Sequence, residues 1–149
     1  MSADVPVEAA AAAYRAYWET LSRESVARLD EVAVPDFAFR DPFHDISGPD
    51  GRERAKRAFA ATFDATDDPR FVVTDQAFSG RTAYLRWTFA FRPKGRREAW
   101  TIVGMSEVVF GPDGRAVSHT DHWDASEQFY ARLPVLGALI RMVRRRLAH

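Results

Sequence analysis

Seven residues late in the chain, Ser118 to Asp124 (SHTDHWD), hold two histidines, two aspartates and a tryptophan. Another carboxylate, Asp41, stands in the run DFAFRDPF, directly before Pro42. Carboxyl and imidazole groups are common carriers of protons near neutral pH. Their value depends on where they point. An apolar interior disfavours the charged form of a carboxyl group and poises it as a general acid or base near neutrality. His119 and Asp121, two apart on a strand, share a face and offer two metal ligands. A usable metal site normally needs three, and no third has a clear spacing, so no metal is expected. The chain has no cysteine, which excludes thiol catalysis, thiolate metal sites and disulfides. That absence fits a reducing compartment. There is no glycine-rich phosphate loop, since SGPDGRER lacks the glycine pattern, and no nucleophile elbow.

The elements around these residues follow from periodicity. In 6–22, Ala10, Tyr14, Tyr17, Trp18 and Leu21 recur at helical steps and form one apolar face. A short helix is expected at 24–33, limited by Pro35. Residues 36–43 switch to period two, which puts Phe37, Phe39, Asp41 and Phe43 on one strand face. A turn-rich loop leads to a helix at 51–66. Strands follow at 70–79, 82–92, 98–110 and 115–124, and GPDG (111–114) marks a hairpin. In 82–92, Ala83, Leu85, Trp87, Phe89 and Phe91 face one way, and Tyr84, Arg86, Thr88 and Arg92 the other. In the last strand Val117, His119, Asp121 and Trp123 share a face. Ser118, Thr120, His122 and Asp124 take the opposite face. Residues 126–147 return to a helical pattern.

Helices segregated from an antiparallel meander predict an α+β domain. The expected form is a cone-shaped, curved antiparallel sheet packed with N-terminal helices, plus a C-terminal helix. One domain is expected over 1–149, its core over about 7–130. Such a concavity suits a small ligand. Lys+Arg and Asp+Glu both number 21, so no global field favours nucleic acid, and no nucleic-acid partner is expected. The charge is uneven: residues 128–149 carry Arg132, Arg141, Arg144, Arg145 and Arg146 and no acid. Such a helix either packs on the domain, or across a pocket mouth, or lies on an anionic membrane surface. The packed helix is the favoured expectation. No signal peptide and no membrane-length apolar run is evident, so a cytoplasmic protein is expected.

The order of elements, with FRDPFHDISGPDGRERAKRAF and VVFGPDGRAVSHTDHWD, resembles the nuclear transport factor 2-like superfamily. That group includes ketosteroid isomerases, SnoaL-like polyketide cyclases, limonene epoxide hydrolases and scytalone dehydratase. The resemblance spans about 7–130 and implies the cone fold and a homodimer formed through the outer sheet face. Asp41-Pro42 matches the proton-shuttling Asp-Pro of the ketosteroid isomerases, a family the handling of carboxyl pKa values has made well known. Tyr17 matches their helix tyrosine, an oxyanion donor. Ser106 falls where they carry a protonated aspartate, so this chain lacks that acid. Asp121 resembles the last member of the Asp–Arg–Asp set of limonene epoxide hydrolases, with Arg86 as its arginine. Thr88 stands at the other aspartate, which disfavours epoxide hydrolysis. In SnoaL-like cyclases the acid/base falls in a comparable HWD segment, at Asp121 or Asp124 according to register.

The resemblance and the residues together predict a cofactor-independent isomerase or cyclase for a mostly apolar, carbonyl-bearing small molecule. Its catalytic candidates are Asp41, Tyr17, Asp121 and His119. Phe39, Phe43, Trp87, Ser106, Trp123 and Trp18 are expected to contact the ligand. A non-catalytic ligand-binding or assembly module is the alternative. Other readings of the residues stay open. Asp41 before a proline can bond turn amides. His119 and Asp121 can form a satisfied structural pair. Asp124 can cap the last helix, and one bulge would turn His122 and Asp124 inward.

Overall fold

The computed structural model describes residues 2–148. Its elements run α1 (Val7–Glu19), a 3-10 turn (Val26–Arg28), α2 (Leu29–Val32), β1 (Ala33–Arg40), β2 (Asp45–Ile46), α3 (Gly51–Ala65), β3 (Thr66–Ser79), β4 (Thr82–Pro93), β5 (Trp100–Phe110) and β6 (Ala116–His122). A short helix α4 (Ala125–Gln128), a 3-10 turn (Tyr130–Arg132) and α5 (Pro134–Leu147) follow. The helical stripe of α1 buries Ala10, Tyr14 and Tyr17, and α3 buries Ala55 and Phe59. Both helices pack on the sheet, α3 mainly against β1 and α1 against β3 and β4.

The six strands are ordered β2-β1-β6-β5-β4-β3. The meander is antiparallel as expected, but β1 lies parallel to β6, so the sheet is mixed. This pairing joins segments about eighty residues apart and has no local signal in the sequence. Register shifts interrupt β3 between Asp67 and Arg70 and between Val73 and Asp75, and such irregularities bend a strand. The inward face of β4 alternates as predicted, with Ala83, Leu85 and Trp87 buried, and β5 alternates too, burying Trp100, Ile102, Ser106 and Val108.

Two boundaries change the site. β1 ends at Arg40, so Asp41 and Phe43 lie beyond the strand instead of on its inner face. In β6, Phe110 pairs with Ala116 and Val109 with Ser118, which leaves Val117 as the extra residue of a bulge. Ala116 is therefore fully buried in place of Val117. The bulge precedes His119, so His119 and Asp121 keep the inward face predicted for them. Asp124 accepts from the Glu127 amide at 3.1 Å and caps α4.

Candidate active site

Strand alternation places His119 and Asp121 side by side on the concave face of β6. Asp121 pairs across the ladder with Ser106 on β5, and His119 pairs with Val108. A chain of hydrogen bonds results. The Trp87 indole N–H donates to Ser106 Oγ at 2.7 Å. Ser106 Oγ donates to Asp121 Oδ1 at 2.5 Å, and His119 Nε2 lies 2.6 Å from the same oxygen. His119 Nδ1 lies 2.6 Å from the Tyr14 hydroxyl.

Donor inventory orders this chain. The indole can only donate, so the single Ser106 proton goes to Asp121. A neutral His119 then carries its proton on Nε2, donates to Asp121, and accepts from Tyr14 through Nδ1. Burial pushes the Tyr14 hydroxyl well above its ordinary range, which keeps it protonated and able to donate; the nearby Asp121 charge acts in the same direction. His119 is 4% exposed and its ring packs against Tyr14, Trp18 and Phe39. Asp121 keeps a side-chain exposure of 15%. All its bonds converge on Oδ1, and Oδ2 has no protein partner among the described residues.

Asp41 repeats this pattern in a turn. Its Oδ1 accepts from the Phe43 amide at 2.8 Å and the His44 amide at 2.7 Å, and lies 2.9 Å from His44 Nδ1. This is the turn-amide arrangement that an Asp-Pro pair favours. Here too Oδ2 is left without a protein partner among the described residues. Asp41, His44 and Asp121 all line a cavity of about 310 Å³. Apart from Thr62 and Thr66 its other walls are apolar, and Phe71, Phe89 and Phe91 form a stack along one side, with centroids 4.2 and 4.7 Å apart.

Of the expected residues, Trp18, Phe39, Phe43, Trp87 and Trp123 also line this cavity. Ser106 and His119 line a smaller adjoining one of about 30 Å³ that shares Asp121, Trp18 and Trp87. Tyr17 lines neither. It is buried, its hydroxyl donates to the Val26 carbonyl at 3.1 Å, and burial raises its pKa. The tyrosine facing the site is Tyr14, one helical turn earlier on the same stripe. His44 went unrecognised in the sequence, where its signal was only its place three residues after an Asp-Pro. Tyr14 stood on the predicted face of α1, but helical period alone does not say which tyrosine meets β6. Gly104, opposite Trp87 in the ladder, makes room for that indole; a Cβ there would lie 2.5 Å from the ring. Among the described residues, no three side chains converge that could hold a metal ion.

The fold recurs in solved structures. A protein of ketosteroid isomerase-like fold from Catenulispora acidiphila, solved with trimethylamine, superposes with a TM-score of 0.68 at 16% identity, over 84% of this chain and 93% of its own. An LEH-like epoxide hydrolase of M. tuberculosis gives 0.64 at 14% identity, over 96% of both chains. IdmH of Streptomyces antibioticus, a candidate polyketide cyclase, gives 0.63 at 19%, over 83% of this chain and 96% of its own. These likenesses establish the fold, which hosts several chemistries. No curated protein matches the sequence. The family model of the SnoaL-like domain matches residues 14–119, from the tyrosine to the histidine of the buried chain, and the protein belongs to that family.

Proposed function

We propose that the protein is a SnoaL-like isomerase or cyclase acting on a mostly apolar, carbonyl-bearing small molecule by side-chain acid/base chemistry. One observation carries the reading. Two carboxylates at an aromatic cavity each have one oxygen saturated by donors and the other without a protein partner among the described residues. Asp121, oriented by His119 and Ser106, is the base. Its Oδ2 takes a proton from the carbon beside the carbonyl, and the electron pair moves to the carbonyl oxygen. His44 in its imidazolium form donates Nδ1–H to Asp41 and Nε2–H to that oxygen, in place of the absent tyrosine. Asp121 then returns the proton to another carbon, or the enolate carbon attacks a second carbonyl of the same molecule and closes a ring, the first carbonyl re-forming and the new alkoxide taking the proton from Asp121. The stack of Phe71, Phe89 and Phe91 suits a planar substrate.

Asp41 and His44 form the second acid/base pair, and Tyr14 is a positioning residue for His119. The outer sheet face exposes Val72, Tyr84, Val103 and Met105 around paired strands, which supports a homodimer through that face.

The test uses 2-tetralone as a generic probe, with α-deuterium uptake in D2O followed by NMR. Wild-type protein is expected to accelerate uptake, and Asp121→Asn to lower that acceleration about a hundredfold or more, the usual worth of a positioned base. Unchanged exchange in Asp121→Asn would sink the mechanism. A ligand-binding role without turnover is the second reading. It is favoured by Tyr17, whose hydroxyl is spent on Val26 and leaves the cavity without a tyrosine donor. It predicts binding of the probe with no exchange above buffer.

A further inference from the structure

Helix α5 is amphipathic, yet it packs the wrong way round for a helix of a domain core. Gly137, Arg141 and Arg144 follow one another at four- and three-residue steps and form its inward edge. Gly137 is buried, and a Cβ there would collide with the Ala131 carbonyl. Arg141 Nη1 donates to that same carbonyl at 2.9 Å, and Arg144 pairs with Glu127 of α4 at 3.6 Å. The main contact of the helix is the Tyr130–Arg132 turn. Much of the apolar stripe is left uncovered: Leu136, Leu139 and Val143 are 39%, 52% and 46% exposed and Leu147 is 79% exposed, while Ile140 is half-buried. The helix is packed on the domain, as the favoured expectation has it, but through Gly137, Arg141 and Arg144.

We infer that α5 lies flat on an anionic lipid surface, with its apolar stripe among the acyl chains. Charge selects this occupant. The helix carries Arg141, Arg144, Arg145 and Arg146 and no acid, so a second copy of α5 would bring charge of the same sign. An anionic bilayer brings the opposite sign. The Arg145 and Arg146 side chains make no ion pair or hydrogen bond with other described residues; Arg146 borders the stripe beside Leu139 and Arg145 stands on the opposite, charged face, the division that interfacial helices carry. The helix is too short and too charged to cross a membrane; no helix among the described residues is long and apolar enough to do so. The cavity mouth lies close by. Phe43, 48% exposed, lines the cavity and packs edge-on against Phe129 and Tyr130, with centroids 5.2 and 6.2 Å away. Tyr130 belongs to the turn on which α5 rests. A membrane-docked α5 thus holds the mouth of an apolar cavity near a reservoir of apolar molecules.

The experiment is co-sedimentation of the full chain with vesicles of phosphatidylcholine, alone or with phosphatidylserine, at low and high salt. The full chain should pellet with the anionic vesicles at low salt and stay in solution with the neutral ones. Arg145→Gln/Arg146→Gln should weaken binding roughly 25-fold, about fivefold for each arginine. Leu139→Glu/Val143→Glu should abolish it while the circular dichroism spectrum is kept. Failure of the full chain to pellet with anionic vesicles overturns the inference. So does pelleting that the stripe substitutions leave unchanged. Light scattering that shows Leu139→Glu splitting a dimer, with no lipid binding by either form, assigns the stripe to a second copy instead. None of these readouts depends on catalysis.

Discussion

Tyr14→Phe is the sharpest test of the buried chain. The substitution removes one oxygen and keeps the ring. Tyr14 is 0% and His119 4% exposed, so water cannot replace the lost donor. His119 Nδ1 would be left as a buried acceptor without a partner. Stranding such a group costs about 1–3 kcal/mol. For a chain of this size, about 2–4 °C of melting temperature goes with each kcal/mol, so Tm should fall by roughly 2–12 °C. The measurement is urea unfolding of the full chain, followed by tryptophan fluorescence and far-UV circular dichroism together. The same substitution in a His119→Phe background has a different meaning. There the Tyr14 hydroxyl is itself stranded, and deleting it should cost nothing or restore stability. The coupling between the two positions should therefore be about 0.5–3 kcal/mol. If Tyr14→Phe shifts stability by less than about 0.5 kcal/mol in both backgrounds, the hydrogen bond is not part of the folded protein's energetics, and the ordering of the chain from Tyr14 to Asp121 falls with it.

Two further outcomes follow from the same interior. Tyr14 and Tyr17 both have folded-state pKa values raised above the ordinary 10.0, chiefly by burial, with the charges of Asp121 and Asp30 respectively adding to the shift. Their stabilising effect is complete below pH 10 and is lost as pH rises towards the folded values, because the unfolded chain releases those protons first. Stability should decline above about pH 10 by up to roughly 1.4 kcal/mol per pH unit for each tyrosine, and Tyr14→Phe should reduce that slope in urea titrations at alkaline pH. Gly104→Ala should cost about 1–3 kcal/mol through overpacking, since its Cβ would meet the Trp87 ring at 2.5 Å. It should also shift Trp87 fluorescence; an unchanged spectrum and stability would mean the indole does not lie across Gly104.

Part of the site was legible because its signals are local. Alternation in β6 paired His119 with Asp121, and the bulge at Val117 falls before them and leaves that pairing intact. Alternation in β1 failed at Asp41 because the strand stops at Arg40, where Pro42 cannot donate to a ladder and the aspartate bonds its own turn amides instead. The Asp-Pro turn had been visible as an alternative, but its recruitment of His44 into the cavity was not. The choice of Tyr14 over Tyr17 turns on the angle at which α1 crosses the sheet. The apolar face of α5 is legible in the helical spacing of Leu136, Leu139, Ile140, Val143 and Leu147. Its outward direction came from Gly137, a residue whose role is invisible without its neighbour Ala131.

The sequence by itself determined the order of the main elements, the GPDG hairpin, the inward faces of β4 and of β6 from His119 on, and the class of chemistry the site can hold. Those properties depend on steps of two, three or four residues, and on residue types. Only the tertiary structure decided that β1 runs parallel beside β6 and that Ser106 donates to Asp121. It also decided that Tyr14, 105 residues before His119, completes the chain. Such contacts are set by register between distant strands and by how a helix lies across them, and no spacing along the backbone encodes either.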